Sequence, residues 1–390
     1  MSERTAAPVT ESERRFDWPV CYEAENFILG QLDEFVARNS FAKDLSGRLA
    51  AETGTLLLDW TDSVTIPFTH EAELRRLGFV PDHRGDPPAT RQKVLYHPDS
   101  VLPCVIVDSS NGGFPTALDL HPENVADFLG ANGVTAPIEG SPLTRFRRAL
   151  VSFENDTSLS VVERRGYRGF VPAKANVGEI EALLAAMELW QTRPRHFQDD
   201  DAGYRVSLSL IDQIVAMVGI NLACHAVFVG ERQYWQRRNR AARVQKARQD
   251  RLGLGWGNHD HHTFRSSRSQ FVNLMRAMEK LGFERRERYY AGAQAGWGAQ
   301  IMEQPVEGIV VFCDVDLRPE DSEIDFSREL LEPAGKLGTV GLWCGLHGES
   351  FLDAGMHHLE ARFDHALCRD QLSGLGINTM KPFSDFDFLK

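Results

Sequence analysis

The chain has 390 residues, 42% of them apolar and 25% charged, with a net charge of −12. Such a composition can build one large or two medium cores, and its acidic balance argues against non-specific nucleic-acid binding. No run of about eighteen apolar residues occurs, so no membrane-spanning helix is expected.

Residues 1–21 are polar and charged, lack an apolar h-region, and read as a disordered lead-in rather than a signal peptide. YEAENFILGQLDEFVARN then places Phe27, Ile28, Leu32 and Phe35 at helical spacing. From about residue 55 the texture changes. TLLLDW and SVTIPF read as strands, EAELRRLGF as a short helix, and KVLYHP, CVIVD and PTALDL as strands between Pro, Asp and Gly turns. RALVSFEN and GYRGFVPA are expected to add strands. Residues 177–250 read as helical throughout. Their last part, RQYWQRRNRAARVQKARQD, is strongly basic; it is read as a solvated helix whose arginines pair with acids elsewhere rather than as a nucleic-acid surface.

A new strand holds Thr263–Phe264, and the earlier order of elements returns. SQFVNLMRAMEKLGF is an amphipathic helix, ERRERYYAG and WGAQIMEQP read as strands, and GIVVFCDVDL is a strongly apolar strand. Both units end their helix in the same tripeptide, Leu77-Gly78-Phe79 and Leu281-Gly282-Phe283. The glycine suits a left-handed helix C-cap, and the phenylalanine is placed to drop back onto the sheet. After an acidic loop, GTVGLWCGLHGES and GMHHLEARFD read as strands and DHALCRDQLSGLG as a helix. PFSDFDFLK closes the sequence without a terminating signal, which fits a chain that continues.

The expected fold class is therefore α+β, with two β-α-β-β-β modules and a helical insertion between them. The expected boundaries are 1–21 for the lead-in, 22–176 for N-terminal helices plus a degenerate module, 177–254 for the insertion, and 255–390 for the C-terminal module or modules carrying the site. The six cysteines (Cys21, Cys104, Cys224, Cys313, Cys344, Cys368) are scattered, with no C-x-x-C pair. That points to reduced thiols in a cytoplasmic protein.

Residues suited to metal binding gather in the last third: His259, His261, His262, His347, Glu349, His357, His358 and Glu360. Alternate strand residues share a face. His259 and His261 then point one way and His262 the other, while His358 and Glu360 share a face of MHHLEARF. An adjacent histidine pair contributes one ligand at most. Two imidazoles and a carboxylate on neighbouring strands would make a facial N, N, O set, open to substrate and to oxygen or water, suited to Fe(II), Mn(II) or Zn(II). Arg265 falls on the face of His261, where its fork could hold a substrate carboxylate or simply cap the strand in solvent. Gln300 and Glu303 are weaker candidates for the wall of a small polar pocket.

NHDHHTFR, its helix ending in LGF, and the strands through GIVVFCDVDL resemble a module of the vicinal oxygen chelate superfamily, which contains glyoxalases and extradiol dioxygenases. GMHHLEARFD is similar to the opening strand of a partner module. The likeness covers 258–317 best, 338–385 less well and 55–125 as an echo without a ligand histidine. The resemblance implies His261 as the first metal ligand, His358 as the second and a carboxylate as the third. Glu360 is nearest by spacing, with Glu303, Glu349 and Asp314 as alternatives, and His347 is a further candidate ligand. It implies a divalent metal, Fe(II) foremost, and an iron-dependent dioxygenase-type oxidoreductase acting on a small carboxylate or 2-oxo acid. The alternatives are a non-redox Mn or Zn isomerase or lyase, and a small-molecule binding protein of the same fold. The expected partner is a small-molecule substrate, with no nucleic acid or membrane, and a homodimer is compatible with the fold.

Overall fold

The structure is a computed structural model that describes residues 20–88, 91–109, 113–172, 174, 176–238, 240–257, 262–356 and 365–377. Two helices open it, α1 (Tyr22–Arg38) and α2 (Ser40–Glu52). α1 buries Ala24, Ile28, Leu32 and Phe35, the one stripe that helical periodicity brings to a single side. Asn39 caps α2 through Ala42 N at 2.9 Å, and its amide reaches Ser152 and Thr157 on the neighbouring sheet.

The first sheet contains β1 (Thr61–Pro67), β2 (Val80–Pro81), β3 (Gln92–Tyr96), β4 (Cys104–Asp108), β5 (Ala117–Leu120), β6 (Phe146–Glu154) and β7 (Thr157–Arg164), in the order β2-β3-β4-β1-β5-β7-β6. α3 (Glu71–Arg76) follows β1, and α4 (Val125–Ala131) follows β5. β1 runs parallel to β4 and antiparallel to β5, and β5 runs parallel to β7. The β6–β7 hairpin turns on Asn155 and Asp156, both at positive φ (48° and 58°), as a tight primed turn requires. The expected strand at RALVSFEN is thus β6. GYRGFVPA is not a strand: after Arg164 the chain leaves the sheet, and Arg164 Nη1 takes the carbonyl of Gly169 instead of leaving it to a ladder.

Four helices follow, α5 (Val177–Gln191), α6 (Asp200–Val218), α7 (Ile220–Arg238) and α8 (Arg240–Asp250). Asn176 and Asp199 cap the first two through their side chains. The second sheet is built from β8 (Thr263–Arg265), β9 (Glu284–Tyr290), β10 (Trp297–Gln304) and β11 (Ile309–Asp316), with α9 (Phe271–Lys280) between β8 and β9. Its order is β8-β11-β10-β9, with β8 parallel to β11. The run β1-α3-β2-β3-β4 has this same connectivity, its first strand lying parallel to its fourth.

The two Leu-Gly-Phe ends are also built alike. Gly78 and Gly282 have φ of 97° and 83°. Phe79 N and Phe283 N bond back to Leu74 O and Met278 O at 3.0 and 3.1 Å, while each glycine N–H takes the carbonyl three residues earlier. That is a Schellman end, and both phenylalanines are buried.

α10 (Thr339–His347) and α11 (His365–Gly374) end the described chain. α10 corrects the strand expected at GTVGLWCGLHGES. Its N-terminus is held by a carboxylate from β11: Asp316 accepts from Gly338 N, Val340 N and Gly341 N at 2.7 to 2.8 Å. A negative group at that end favours a helix. GMHHLEARFD from residue 357 to 364 lies outside the described residues. One core joins α1 and α2 to the first sheet, and a second joins α5–α7 and α9 to the second sheet. Among the described residues, no helix is long and apolar enough to cross a membrane.

Candidate functional site

α9 covers one face of the second sheet, and Phe264, Met302, Val311, Cys313 and Val315 belong to the core there. The register puts Arg265 opposite Asp314, and Asp314 opposite Ala299. Directly paired residues share a face, so Arg265 and Asp314 stand on the face turned away from α9, as does Glu303. Gln300 pairs with Cys313 and faces the core side. There it is buried, and its amide donates to the carbonyls of Glu287 and Ile301. The structure therefore separates Gln300 from Arg265. Glu303 is on the open face, but Arg286 engages it through Nε at 2.7 Å.

Arg265 is held at both ends. Its N–H donates to Ser350 Oγ at 2.9 Å, and that hydroxyl donates back to Arg265 O at 2.8 Å. Its guanidinium lies 4.8 Å from the Trp343 ring centroid, with Nε 4.0 Å from Asp314 Oδ2. The Trp343 ring in turn meets the His347 ring, tilted by 43°, at 4.4 Å between centroids. Residues four apart meet on a helix face, so α10 delivers this pair as a unit. Asp314, Arg265, Trp343 and His347 form one cluster, with α10 set in place by Asp316.

The electrostatics of the cluster are unusual for a carboxylate. Burial pushes Asp314 up to about 7, and the charge of Arg265 only partly opposes it. Burial and Arg265 together hold His347 below the ordinary histidine range, favouring its neutral form. A carboxyl near 7 can exchange a proton or, facing a cation, bind as a carboxylate; a neutral imidazole can accept a proton or a metal.

Glu349 is engaged elsewhere. It accepts from Ser266 Oγ at 2.9 Å and Ser267 N at 3.0 Å, fastening the end of β8 to the end of α10. His262 is buried beside Phe228, 5.6 Å between ring centroids, away from Arg265 as strand alternation requires. Among the described residues, no group of three His, Cys, Asp or Glu side chains is placed to hold a metal. His259, His261, His357, His358 and Glu360 lie outside the described residues. Trp343 escapes sequence reasoning because its segment reads as a strand; the four-residue step from Trp343 to His347 is the available helical signal.

No protein-family model matches the chain, and no curated protein matches it. Among solved structures it is similar to a candidate hydrolase from Shewanella frigidimarina NCIMB 400, with 11% identity and a TM-score of 0.31 over 38% of this chain and 98% of that one. It is also similar to two point mutants of glyoxalase I from Zea mays. One has 9% identity and a TM-score of 0.21 over 67% of this chain and 68% of the other. The second has 10% identity and a TM-score of 0.21 over 70% and 73%. Overlaps this low carry no argument about fold or chemistry.

Proposed function

We propose that the chain is a metal-dependent enzyme of vicinal oxygen chelate architecture, acting as a non-haem Fe(II) oxygenase on a small carboxylate or 2-oxo acid. The observation that carries the reading is the pairing of Asp314 with Arg265 on the open face of a β-α-β-β-β sheet. A buried carboxylate pushed up to about 7, whose nearest charged partner among the described residues is 4.0 Å away, is an oxygen donor that a divalent cation would satisfy. In the sequence His261 comes two residues before β8, and His358 and Glu360 follow Met356. With Asp314, or with Glu360, the two histidines would supply two nitrogen donors and one oxygen donor. His347 is a further donor of the right chemistry beside Arg265.

The chemistry a divalent metal supplies at such a set is chelation of two adjacent substrate oxygens and, with iron, the use of O₂. Arg265 binds and orients a substrate carboxylate, its plane fixed by Trp343. α10 forms one wall and restricts water from that side.

A non-redox isomerase or lyase using Mn(II) or Zn(II) is the second reading, favoured by the same carboxyl: a group near pH 7 is matched to proton transfer. Metal analysis of the purified chain, joined to O₂ uptake over a panel of 2-oxo and amino acids, separates the readings. Iron with O₂ uptake supports the first, and a redox-inert metal with turnover the second. A folded protein without metal that binds a small molecule would make it a binding protein. If His261→Ala and His358→Ala both left bound metal unchanged, the site would be wrong.

A further inference from the structure

A cavity of about 430 Å³ lies between the first sheet and helix α7, away from the cluster just described. Glu307, in its wall, sits in the β10–β11 turn; Asp314 lies five residues beyond the start of β11 at Ile309, about 17 Å at the rise of an extended strand. The volume is within the range of small-molecule sites.

The polar wall is built from both halves of the chain. Glu163 accepts from Arg147 and Arg165. Arg164 is clasped by Asp62. Glu307 accepts from Gly166 N and meets His225 Nδ1 at 3.0 Å. Glu123 takes Trp256 N at 3.0 Å and faces Lys246 at 3.4 Å. Each of these acids is already engaged.

Arg232 is the exception. It lines the cavity from α7, and its Nε and Nη1 are shut off from solvent with no acceptor among the described residues. Burial lowers its proton affinity, and the nearby Glu123 and Glu307 only partly offset this. A buried guanidinium without an acceptor is costly, and a bound anion would remove that cost. The apolar part of the wall is Leu143, Leu183, Met187 and Val229, next to the polar side chains of Asn124, Asp127, Gln233, Gln236 and Arg237. Leu143 is held at φ 63°, a conformation unfavourable for leucine, next to Thr144, whose carbonyl takes Arg165 at 2.8 Å.

We infer that this cavity binds a small monocarboxylate with an apolar body, its carboxylate on Arg232 and its body against Leu143, Leu183, Met187 and Val229. Among the described residues Arg232 is the one cation of this wall with buried donors that lack an acceptor, and one such cation calls for one negative charge. A phosphate dianion would instead meet Glu123, Glu163 and Glu307 in the same wall.

Thermal unfolding of the full chain with sodium hexanoate, 1-hexanol or inorganic phosphate at matched ionic strength tests this. Hexanoate should raise Tm by a few degrees at saturation, while hexanol and phosphate leave it unchanged. The rise should vanish in Arg232→Leu and persist in Arg265→Met. An equal response to phosphate or hexanol, or an undiminished rise in Arg232→Leu, overturns the assignment. Hydrogen exchange on the unmutated chain needs no variant: hexanoate should protect residues 225–238 and 305–308, and absence of protection there overturns it equally.

Discussion

Asp62 and Arg164 clasp each other across an intervening strand, Nε to Oδ1 at 2.7 Å and Nη2 to Oδ2 at 2.9 Å. Asp62 is on β1 and Arg164 ends β7, with β5 between them. The pair therefore ties the β2-β3-β4-β1 half of the first sheet to the β5-β7-β6 half. Arg164 also stands over the rings of Phe146 and Phe170, 4.7 and 4.6 Å from their centroids. Removing one partner strands the other: Asp62→Asn should cost about 3–5 kcal/mol by urea denaturation. A cost near zero would mean that Gly169 O and Tyr167 O suffice for Arg164.

Acid should act through the same residue. The Arg164 guanidinium overcomes the cost of burial and holds Asp62 below the usual carboxylate range. Its contribution is thus present above about pH 4, where the unfolded group is ionised, and is lost as pH falls toward the depressed folded value. Asp119, next door on β5, has the opposite sign. Burial raises it, so its contribution is present at low pH and lost as pH rises through its folded value. Asp62→Asn should flatten the acid limb of stability against pH. Asp119→Asn should be neutral or stabilising at pH 7, since an amide oxygen can still accept from Ser63 Oγ. Equal destabilisation by both variants would contradict this assignment of signs.

The two Schellman glycines should differ in tolerance. A Cβ on Gly282 would meet the side chains of Gln304 and Ile220 at 3.2 Å, where small shifts suffice, whereas on Gly78 it would lie 2.6 Å from His97 Nε2. That nitrogen is bonded to Leu77 O at 3.0 Å. Gly282→Ala should cost about 1–2 kcal/mol from φ alone. Gly78→Ala should cost more, roughly 3 kcal/mol, because the His97 ring must move and its hydrogen bond to Leu77 O breaks. Denaturation midpoints in the reverse order would show that the His97 ring moves aside freely.

These glycines also show what the sequence made legible. Leu-Gly-Phe after an amphipathic run announces a helix end whatever the tertiary setting, because only local backbone geometry is involved. Most strands of both β-α-β-β-β runs are readable from their apolar, β-branched stretches, but the two-residue β2 carries no strand signal, and TLLLDW, expected as a strand, is a 3₁₀ turn at Leu57–Trp60. α10 is not readable either. GTVGLWCGLHG is glycine-rich, apolar and without a capping side chain in its own sequence, so local preference argues against a helix. Its capping carboxylate, Asp316, arrives from β11, and only the folded chain shows it. Arg265 can be assigned its face by alternation, but its partner Trp343 depends on that unreadable helix. Arg232 and His225 are hidden in another way: an amphipathic helix has a polar face in any case, and only the cavity distinguishes an unsatisfied arginine from a solvated one.

Asp316→Ala should therefore act at a distance. Losing three N–H acceptors at the start of α10 should cost about 1–2 kcal/mol and loosen Trp343 from Arg265. A red shift in tryptophan emission that disappears in the Asp316→Ala, Trp343→Phe double variant would report the loosening. An unshifted spectrum would mean that Glu349, at the far end of α10, is enough to position the helix.

Arg265→Lys tests what the guanidinium does once a substrate has been found. Lysine keeps the charge and the backbone clip to Ser350 but loses the plane that lies over Trp343 and the fork that grips two carboxylate oxygens. If Arg265 binds substrate equally in the ground and transition states, KM should rise about thirtyfold, the loss of roughly 2 kcal/mol from charge-assisted hydrogen bonds, with kcat little changed. A fall in kcat at unchanged KM would place Arg265 on the reacting atoms instead. No change in either would mean that the guanidinium serves only to balance Asp314. Trp343→Leu should then move KM in the same direction as Arg265→Lys, because the ring orients the guanidinium without touching substrate. It should add little in the double variant, where there is no plane left to orient.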